Sequence, residues 1–596
     1  MNKRIERGLS GLGGFEQMRR KIRLDPLNPP NPRSILESLN WSNMRSKPII
    51  AGTVSGLITF VLLAATSAGV GVVWDEPIYV EATERAARWF GLIFSGQFGQ
   101  AFEQYTFGIS WGLVHEHPPL FRYVNALGWT LTRDWLPAPL HHRIGSIAVA
   151  ALTVGILVGV IWRVRGARTA LFAAAALLSM PRIFFHMHLT VLDFPLAAMW
   201  IVGTLVFFNE VSKTPPVGSV AVWRPSLRSA FVIGAWIGLG LLTKINAVLL
   251  LPFWGLWLLI YRRSWRMITT FALSLLIGLA VLIAGWPWIW GNPLTGLWNW
   301  VQFFRVHFEI RQWFAGQLYV ETPWTLPWLI LLITTPLLVW LMGLIGALVG
   351  RKHAENRRSG VLDEWIGLHL LGLAVVVGYY AFSPTPIHDQ DRLLLPAFVH
   401  LAILSGEGFN RLWGWLGARL DRPLRGAVAQ TSLAILLLLP GIVQNVRLHP
   451  YQLAYYGEVV GGVRGAARLD METIYFASTY VHFLPALNQL PANALVWVMP
   501  NSWDVLYYYQ KVGLLRADLV ILRPPGWGSF YDDQGVPSQQ GTLADADFAL
   551  IERRQTTFND ELPEHAIQLT WAADAPELDR LSRNGVVLAT LHRRPD

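Results

Sequence analysis

The 596-residue chain contains no cysteine. Disulfides, thiolate metal sites and a cysteine nucleophile are therefore excluded. Charge is scarce as well: 15% of residues are Asp, Glu, Lys or Arg, against roughly 25% in an average soluble domain. With 53% hydrophobic residues, that scarcity excludes both a disordered chain and an ordinary soluble enzyme. Acids are the rarer sign, 39 against 49 Lys and Arg, for a net charge of +10. Such an excess fits either nucleic acid or basic loops held on the cytoplasmic side of a membrane, and long apolar runs favour the membrane over a nucleic-acid partner. No internal repeat, GxGxxG or P-loop is present, so nothing marks a nucleotide site. What is abundant is tryptophan, 29 residues, a residue that favours membrane–water interfaces.

Residues 1–47 carry ten basic and four acidic side chains, with Pro26, Pro29, Pro30 and Pro32; they read as a cytoplasmic basic tail. The apolar run from Ile49 to Val73 is too long and too deep for a cleavable signal. At about 1.5 Å per residue it crosses a ~30 Å hydrocarbon core. Ten further spans are expected at 143–162, 169–185, 190–208, 229–243, 246–261, 267–288, 326–349, 363–382, 393–408 and 427–446, about eleven in all. The basic residues then fall on alternate loops: Arg163, Arg165 and Arg168; Lys213, Arg224 and Arg228; Arg262, Arg263 and Arg266; Arg351, Lys352, Arg357 and Arg358; Arg411, Arg419, Arg422 and Arg425. This pattern places the N-terminus inside and the C-terminus outside. Residues 118–135, interrupted by Arg122 and Asn125, read as an amphipathic helix lying in the outer interface. Beyond 447 the apolar segments shorten to strand length at 494–499, 519–523, 548–551 and 586–591, with helices expected at 480–490 and 503–511 and a loop over 525–545. The fold class is thus a polytopic α-helical membrane domain, 48–446, followed by an extracytoplasmic α/β domain, 447–596.

Ionisable groups beside a membrane are costly and mark function by default. Those not on basic loops gather at the outer ends of spans: Asp75 and Glu76; His115, Glu116 and His117; Arg182, His186, His188 and Asp193; Lys244; Arg305, His307, Glu309 and Arg311; His388, Asp389, Asp391 and Arg392. These outer segments would then converge on one cavity of carboxylates, imidazoles and fixed cations, a set suited to a reaction between a membrane-borne anion and an external acceptor. Bland readings compete. Asp193 in HLTVLDFPLAAMW suits a helix N-terminus, Lys244 a snorkelling side chain, and Arg392 a partner for Asp389 or Asp391. The two HxH pairs fix only two metal ligands each.

The order WDEPIYVEATER, HEHPPLFRYVNALG, MPRIFFHMHLTVLDFPLAAMW, GLGLLTKINAVLLLP and PIHDQDRLLLPAFVHLAILSGEG resembles the GT-C superfamily of membrane glycosyltransferases. The likeness is to the branch of protein O-mannosyltransferases and aminoarabinose–lipid A transferases (glycosyltransferase family 39-like), and it covers roughly residues 70–470. It implies a sugar donor linked to polyprenyl phosphate, an acceptor hydroxyl on protein, lipid or glycan, and inversion at the anomeric carbon. It also implies an acid of the first outer loop, here Asp75 with Glu76 beside it, as the base or acceptor-orienting group. His117 stands where many relatives have Lys near the donor phosphate, which would make that contact pH-dependent. Arg311 and Arg392, then Lys244 and Arg182, are the other cations for the phosphate; His115, Asp193, His388 and Asp389 complete the cavity. By position, Glu116 and His307 match a divalent-metal pair of the aminoarabinose branch, while the mannosyltransferases need no metal. A polytopic transporter or lipid flippase, and a receptor using the outer domain, are the alternatives; transporters place their polar groups near mid-membrane, often in repeats.

Overall fold

The computed structural model describes residues 41–212, 226–305, 310–348, 363–382, 387–420, 426–532, 538–558 and 574–595. Nearly all of the basic tail, and His307, lie outside these residues. Among the described residues seven helices are long and apolar enough to cross a membrane: Ser46–Gly69, Leu140–Arg165, Asp193–Val211, Trp265–Ala284, Glu364–Phe382, Arg392–Gly417 and Ala427–Leu448. An eighth passes only as a bent pair, Leu326–Ile333 and Leu337–Leu348, broken by 115°; the break holds Pro336, which cannot continue a helix without losing an N–H bond. The remaining expected spans appear as the shorter apolar helices Ala167–Ser179, Leu227–Leu241 and Ile245–Tyr261. The chain is a multi-pass membrane protein on these grounds.

Burial separates the helices into layers. The Arg392–Gly417 span is 94% buried and forms the centre of the bundle, whereas Ser46–Gly69 and Ala427–Leu448 are mostly open to the surroundings. Small residues allow the closest crossings. The helix Leu395–Gly417 lies against Leu337–Leu348 so tightly that a Cβ on Gly408 would collide with the carbonyl oxygen of Met342. Helix Leu120–Thr132 is 13 residues long, about 20 Å and too short to cross. It buries Phe121, Arg122, Asn125 and Ala126 while leaving Leu127 and Leu131 exposed, the amphipathic pattern expected of an interfacial helix.

The C-terminal region contains a six-stranded mixed sheet in the order β5-β4-β3-β6-β9-β8. Its strands are β3 (Leu495–Met499), β4 (Val520–Arg523), β5 (Ser538–Gln540), β6 (Phe548–Glu552), β8 (Glu577–Arg583) and β9 (Val586–Arg593). The strands β3, β4, β5 and β6 run parallel, and β9 and β8 add antiparallel. Helices Tyr480–Leu487 and Trp503–Lys511 occupy the expected places. The expected 525–545 loop also holds β5. A second, three-stranded sheet joins the two regions: β1 (Ile310–Phe314) pairs with β2 (Gln317–Tyr319) and with β7 (Thr557–Phe558). The loop after the seventh expected span is thereby stitched to the C-terminal domain.

Candidate functional site

A cavity of about 490 Å³ opens within the membrane domain, lined from residues 74–79, 114–117, 244–249, 301–305, 310, 379 and 388–393. Its polar wall comes from Asp75, Glu116, His117, Lys244, Asn246, Arg305, His388, Asp389 and Arg392, and its apolar wall includes Trp74, Tyr79, Phe303, Phe304 and Tyr379.

The segment Trp74–Pro77 builds the first wall by local chemistry. Helix Glu76–Phe94 begins with Pro77 in its first turn, where the missing N–H is no loss. Asp75 occupies the N-cap position, yet its side chain makes no capping bond. Its carboxylate turns instead to the Arg392 guanidinium, 2.9 Å away, and keeps 31% of its side chain accessible to the cavity. Asp193 likewise starts a helix. Its carboxylate takes Lys244 Nζ at 2.7 Å on one oxygen and lies 3.3 Å from Arg392 on the other. Arg392 also reaches Asp389 at 2.7 Å and packs over the Phe476 ring. Asp75, Asp193, Asp389, Lys244 and Arg392 thus form one connected charge cluster.

The backbone is bent to make this possible. Non-glycine residues with positive φ include Val114, Asp389, Gln390, Phe476 and Ala477; Val114 and Asp389 line the cavity, and the others flank Asp389 or Arg392. Such conformations cost of order 1–3 kcal/mol each and cluster at functional sites. Arg122 supports the His117 turn from behind, donating to the carbonyls of Val114 and His117.

Enclosure raises the Asp75 carboxyl above the ordinary carboxylate range; Arg392 opposes that rise, while Asp389 and Asp193 add to it. For His117 burial, followed by Lys244 and Arg122, lowers the value to about 3. In the empty cavity the imidazole is then neutral near pH 7, and a phosphate entering beside it would favour its protonation.

Of the residues selected from sequence, Asp75, His117, Lys244, His388, Asp389 and Arg392 meet at the cavity, with Asp193 bridging behind them. Glu116 lines it too. Four others are placed elsewhere. Glu76 is 1% exposed and locked to Arg143, whose Nε lies 2.9 Å from its Oε1. Arg182 is buried, donating to Asp391 Oδ1 at 2.7 Å and to the Tyr455 carbonyl, and it packs over the Tyr456 ring. His115 points outward over Trp288, with Nδ1 2.9 Å from the Gly112 carbonyl. Arg311 sits on β1, paired through its backbone register with Thr557, and is not among the cavity-lining side chains. Each of these four was read from its distance to a span end, which does not tell which way a side chain turns. For the metal pair, His307 lies outside the described residues. Among those described, no group of three or more His, Cys, Asp or Glu is arranged to hold an ion.

Sequence reasoning missed Arg554 and Arg143. Arg554 follows β6, stacks 4.1 Å over the Trp74 ring and lies 3.2 Å from Asp389. The Arg-Arg pair at the carboxyl end of a central parallel strand was the available signal, since open α/β sheets place ligand sites at that edge. Arg143 opens the expected 143–162 span at its outer end, so the same rule that collected the other outer charges would have found it.

Residues 116–290 match the family model described as dolichyl-phosphate-mannose-protein mannosyltransferase. That segment includes the EHPP, MPRIFFHMH and TKIN stretches, and over it the resemblance read from the sequence is borne out. Among solved structures, the chain is similar to ArnT from Cupriavidus metallidurans bound to undecaprenyl phosphate, at 14% identity and a TM-score of 0.49, covering 90% of this chain and 97% of that one. The apo state of the same protein gives 16% identity and a TM-score of 0.47, with the same coverage. An oligosaccharyltransferase from Archaeoglobus fulgidus, in complex with Zn and sulfate, gives 12% and 0.42, covering 83% of this chain and 68% of that one.

Proposed function

We propose that this protein is a membrane glycosyltransferase that moves a sugar from a polyprenyl-phosphate donor to an acceptor hydroxyl, with inversion. The observation that carries the reading is the solvent-accessible Asp75 carboxylate, raised above its usual range, beside the fixed cations Arg392 and Lys244 in one cavity. The mannosyltransferase match over 116–290 supports the reaction class, and the ArnT structure bound to undecaprenyl phosphate is the precedent for the lipid.

In the reaction the acceptor oxygen attacks the anomeric carbon as Asp75 takes its proton. The bond from that carbon to the phosphate oxygen breaks, and the leaving polyprenyl phosphate keeps the electron pair. A phosphate is already a fair leaving group, so most of the rate comes from alignment and from cations placed where negative charge grows. Arg392 and Lys244 fill that role, with neutral His117 as a hydrogen-bonding neighbour. The apolar wall of Phe303, Phe304, Ile245 and Leu249 suits the first isoprene units.

If the three shorter apolar helices are counted as spans, the topology is the eleven-span arrangement expected from the basic loops. The N-terminus is then cytoplasmic, and the 447–596 domain and the cavity lie on the outer side. Residues 1–47 are the tail and 48–446 the transferase domain. A divalent metal would be held by Glu116 on the cavity wall together with His307, which lies outside the described residues. The test is transfer of labelled sugar from a synthetic polyprenyl-phosphate donor by purified protein in detergent or nanodiscs. Product formation lost with Asp75→Asn supports the reading; flux of lipid across a vesicle bilayer without transfer would replace it with the flippase alternative.

A further inference from the structure

The carboxyl edge of the C-terminal sheet meets the wall of the membrane cavity, where Arg554 touches Trp74 and Asp389. From β3 the chain crosses to β4 and β5 on one side and then returns to β6 on the other. The carboxyl ends of β3 and β6 therefore flank the point where the strand order reverses, the place where open α/β sheets hold ligands. Two features stand at this edge. Glu552, the last residue of β6, accepts from the backbone N–H groups of Ala477 and Thr479 and from the Thr479 hydroxyl. It thereby fixes the turn whose Phe476 lies against Arg392 and whose Phe476 carbonyl accepts from Trp74 N–H at 3.1 Å. Two residues further, Arg554 extends between Trp74 and Asp389.

We infer that Arg554 is a positioning residue of the membrane active site, supplied by the C-terminal domain, that holds Asp389 so that Arg392 stays shared with Asp75. The geometry is a relay: Arg554 to Asp389 at 3.2 Å, Asp389 to Arg392 at 2.7 Å, and Arg392 to Asp75 at 2.9 Å. Charge arithmetic gives it a reason. Three carboxylates, Asp75, Asp193 and Asp389, face three cations, Lys244, Arg392 and Arg554. Without Arg554 the cluster carries one excess negative charge. Asp389 then competes harder for Arg392, and an incoming donor phosphate meets repulsion. A buried acid deprived of one cation draws on the next. Glu472 stands close by and also feels the Arg554 charge, but its oxygens accept from the N–H groups of Gln555 and Thr556 and from Gln390, so it anchors the segment after β6 and makes no bond to Asp389 or Arg392.

This inference rests on the transferase reading for its catalytic consequence, but its physical content is read independently. Difference infrared spectroscopy follows the Asp75 carboxyl, its band identified by its loss in Asp75→Asn. The groups facing Asp75 are Arg392, Lys244, Asp193, Asp389 and Tyr79, with Glu116 and His117 across the cavity. In Arg554→Met the Asp75 titration should rise by about one pH unit, the size of effect expected when one nearby cation is lost. Arg554→Lys should keep most of the wild-type value. Asp389→Asn added to Arg554→Met should bring the titration back, since it removes the acid left uncompensated; a purely structural role for Arg554 would leave the two changes additive. In turnover assays the acid limb of the Arg554→Met pH profile should move up by about that unit, so that kcat on this limb falls about tenfold, with rescue by Arg554→Lys. An unchanged Asp75 titration in folded Arg554→Met, or no restoration by Asp389→Asn, overturns the inference. Wild-type protein that titrates as expected yet transfers no sugar would sink the transferase reading instead.

Discussion

At the scale of single residues, the adjacent acids Asp75 and Glu76 show how one peptide unit separates chemistry from architecture. Glu76 sits in the first helical turn and is drawn into the protein by Arg143. All five guanidinium donors of Arg143 are used, on both Glu76 oxygens and on the carbonyls of Ser67, Val70 and Gly71. Removing one partner of such a buried pair costs roughly 3–5 kcal/mol. Arg143→Met and Glu76→Gln should therefore lower the melting temperature in detergent sharply and reduce yield. Normal thermal stability with lost turnover would instead return Glu76 to the reaction. The cations divide in the same way. Arg392→Lys keeps the charge but not the fork that reaches three carboxylates, and it should raise donor KM roughly tenfold or more, the equivalent of one lost charge-assisted contact at about 1.5–3 kcal/mol. Arg311→Met, on β1 and not among the cavity-lining residues, should leave donor KM within about twofold of wild type, because it removes no charge-assisted contact to the phosphate. Equal effects of the two would show that the cavity does not hold the phosphate. The carboxylates and cations of the charge cluster that sequence selected share one trait: each stands at or just before a helix start. Arg182 and Glu76 satisfy the same rule, so sequence alone did not distinguish a charge buried for packing from one facing the cavity.

Secondary-structure elements were legible to the extent that hydrophobic length announces them. The strands β3, β4, β6 and β9 and the helices at 480 and 503 appear within a few residues of their expected bounds. The β8–β9 hairpin was missed although Asn584-Gly585, both at positive φ, is a strong two-residue hairpin signal; the charged ELDRLSR strand ahead of it has no apolar alternation to draw attention. The β1–β2 hairpin turns on Ala315-Gly316, also both at positive φ, and was hidden because its partner β7 lies more than two hundred residues away. Helix length was the harder property. Three expected spans are helices too short to cross a flat bilayer on their own, and one is bent by 115° at Pro336, because neighbouring helices satisfy the freed backbone groups. The tight crossing at Gly408 gives an element-level test. Gly408→Ala places a methyl group against the Met342 carbonyl and should separate the two central helices, lowering thermal stability by about 1–3 kcal/mol, as overpacking typically does. An unchanged melting temperature would mean that this crossing is looser than described.

At the scale of the whole molecule, the absence of cysteine makes orientation directly measurable, because any introduced thiol is the only one. Thiols placed at Arg263 and at the exposed Leu578 should be labelled by a membrane-impermeant reagent from opposite sides, Leu578 from outside; labelling of both from one side would break the topology on which the donor assignment depends. The C-terminal domain was expected as a separate outer unit, and its existence was readable from strand-length apolar segments. The contact of its Arg554 with Asp389 and Trp74 was not, because it depends on the three-dimensional meeting of the end of β6 with the Asp389 turn. The pH profile belongs to the molecule as a whole. Asp75 must be ionised to accept a proton, and its carboxyl is held above the ordinary range, so transfer should fall as pH drops through a value higher than that of a free aspartate. The most direct test of the central claim is turnover of Asp75→Asn with a polyprenyl-phosphate sugar donor, beside a thermal-shift control. Asparagine keeps the size and part of the hydrogen bonding to Arg392 but takes no proton. A folded protein whose rate is reduced about 10²–10⁴-fold is predicted, the usual cost of losing a general base. Transfer at the wild-type rate would contradict the assignment of Asp75 as the base, and with it the mechanism.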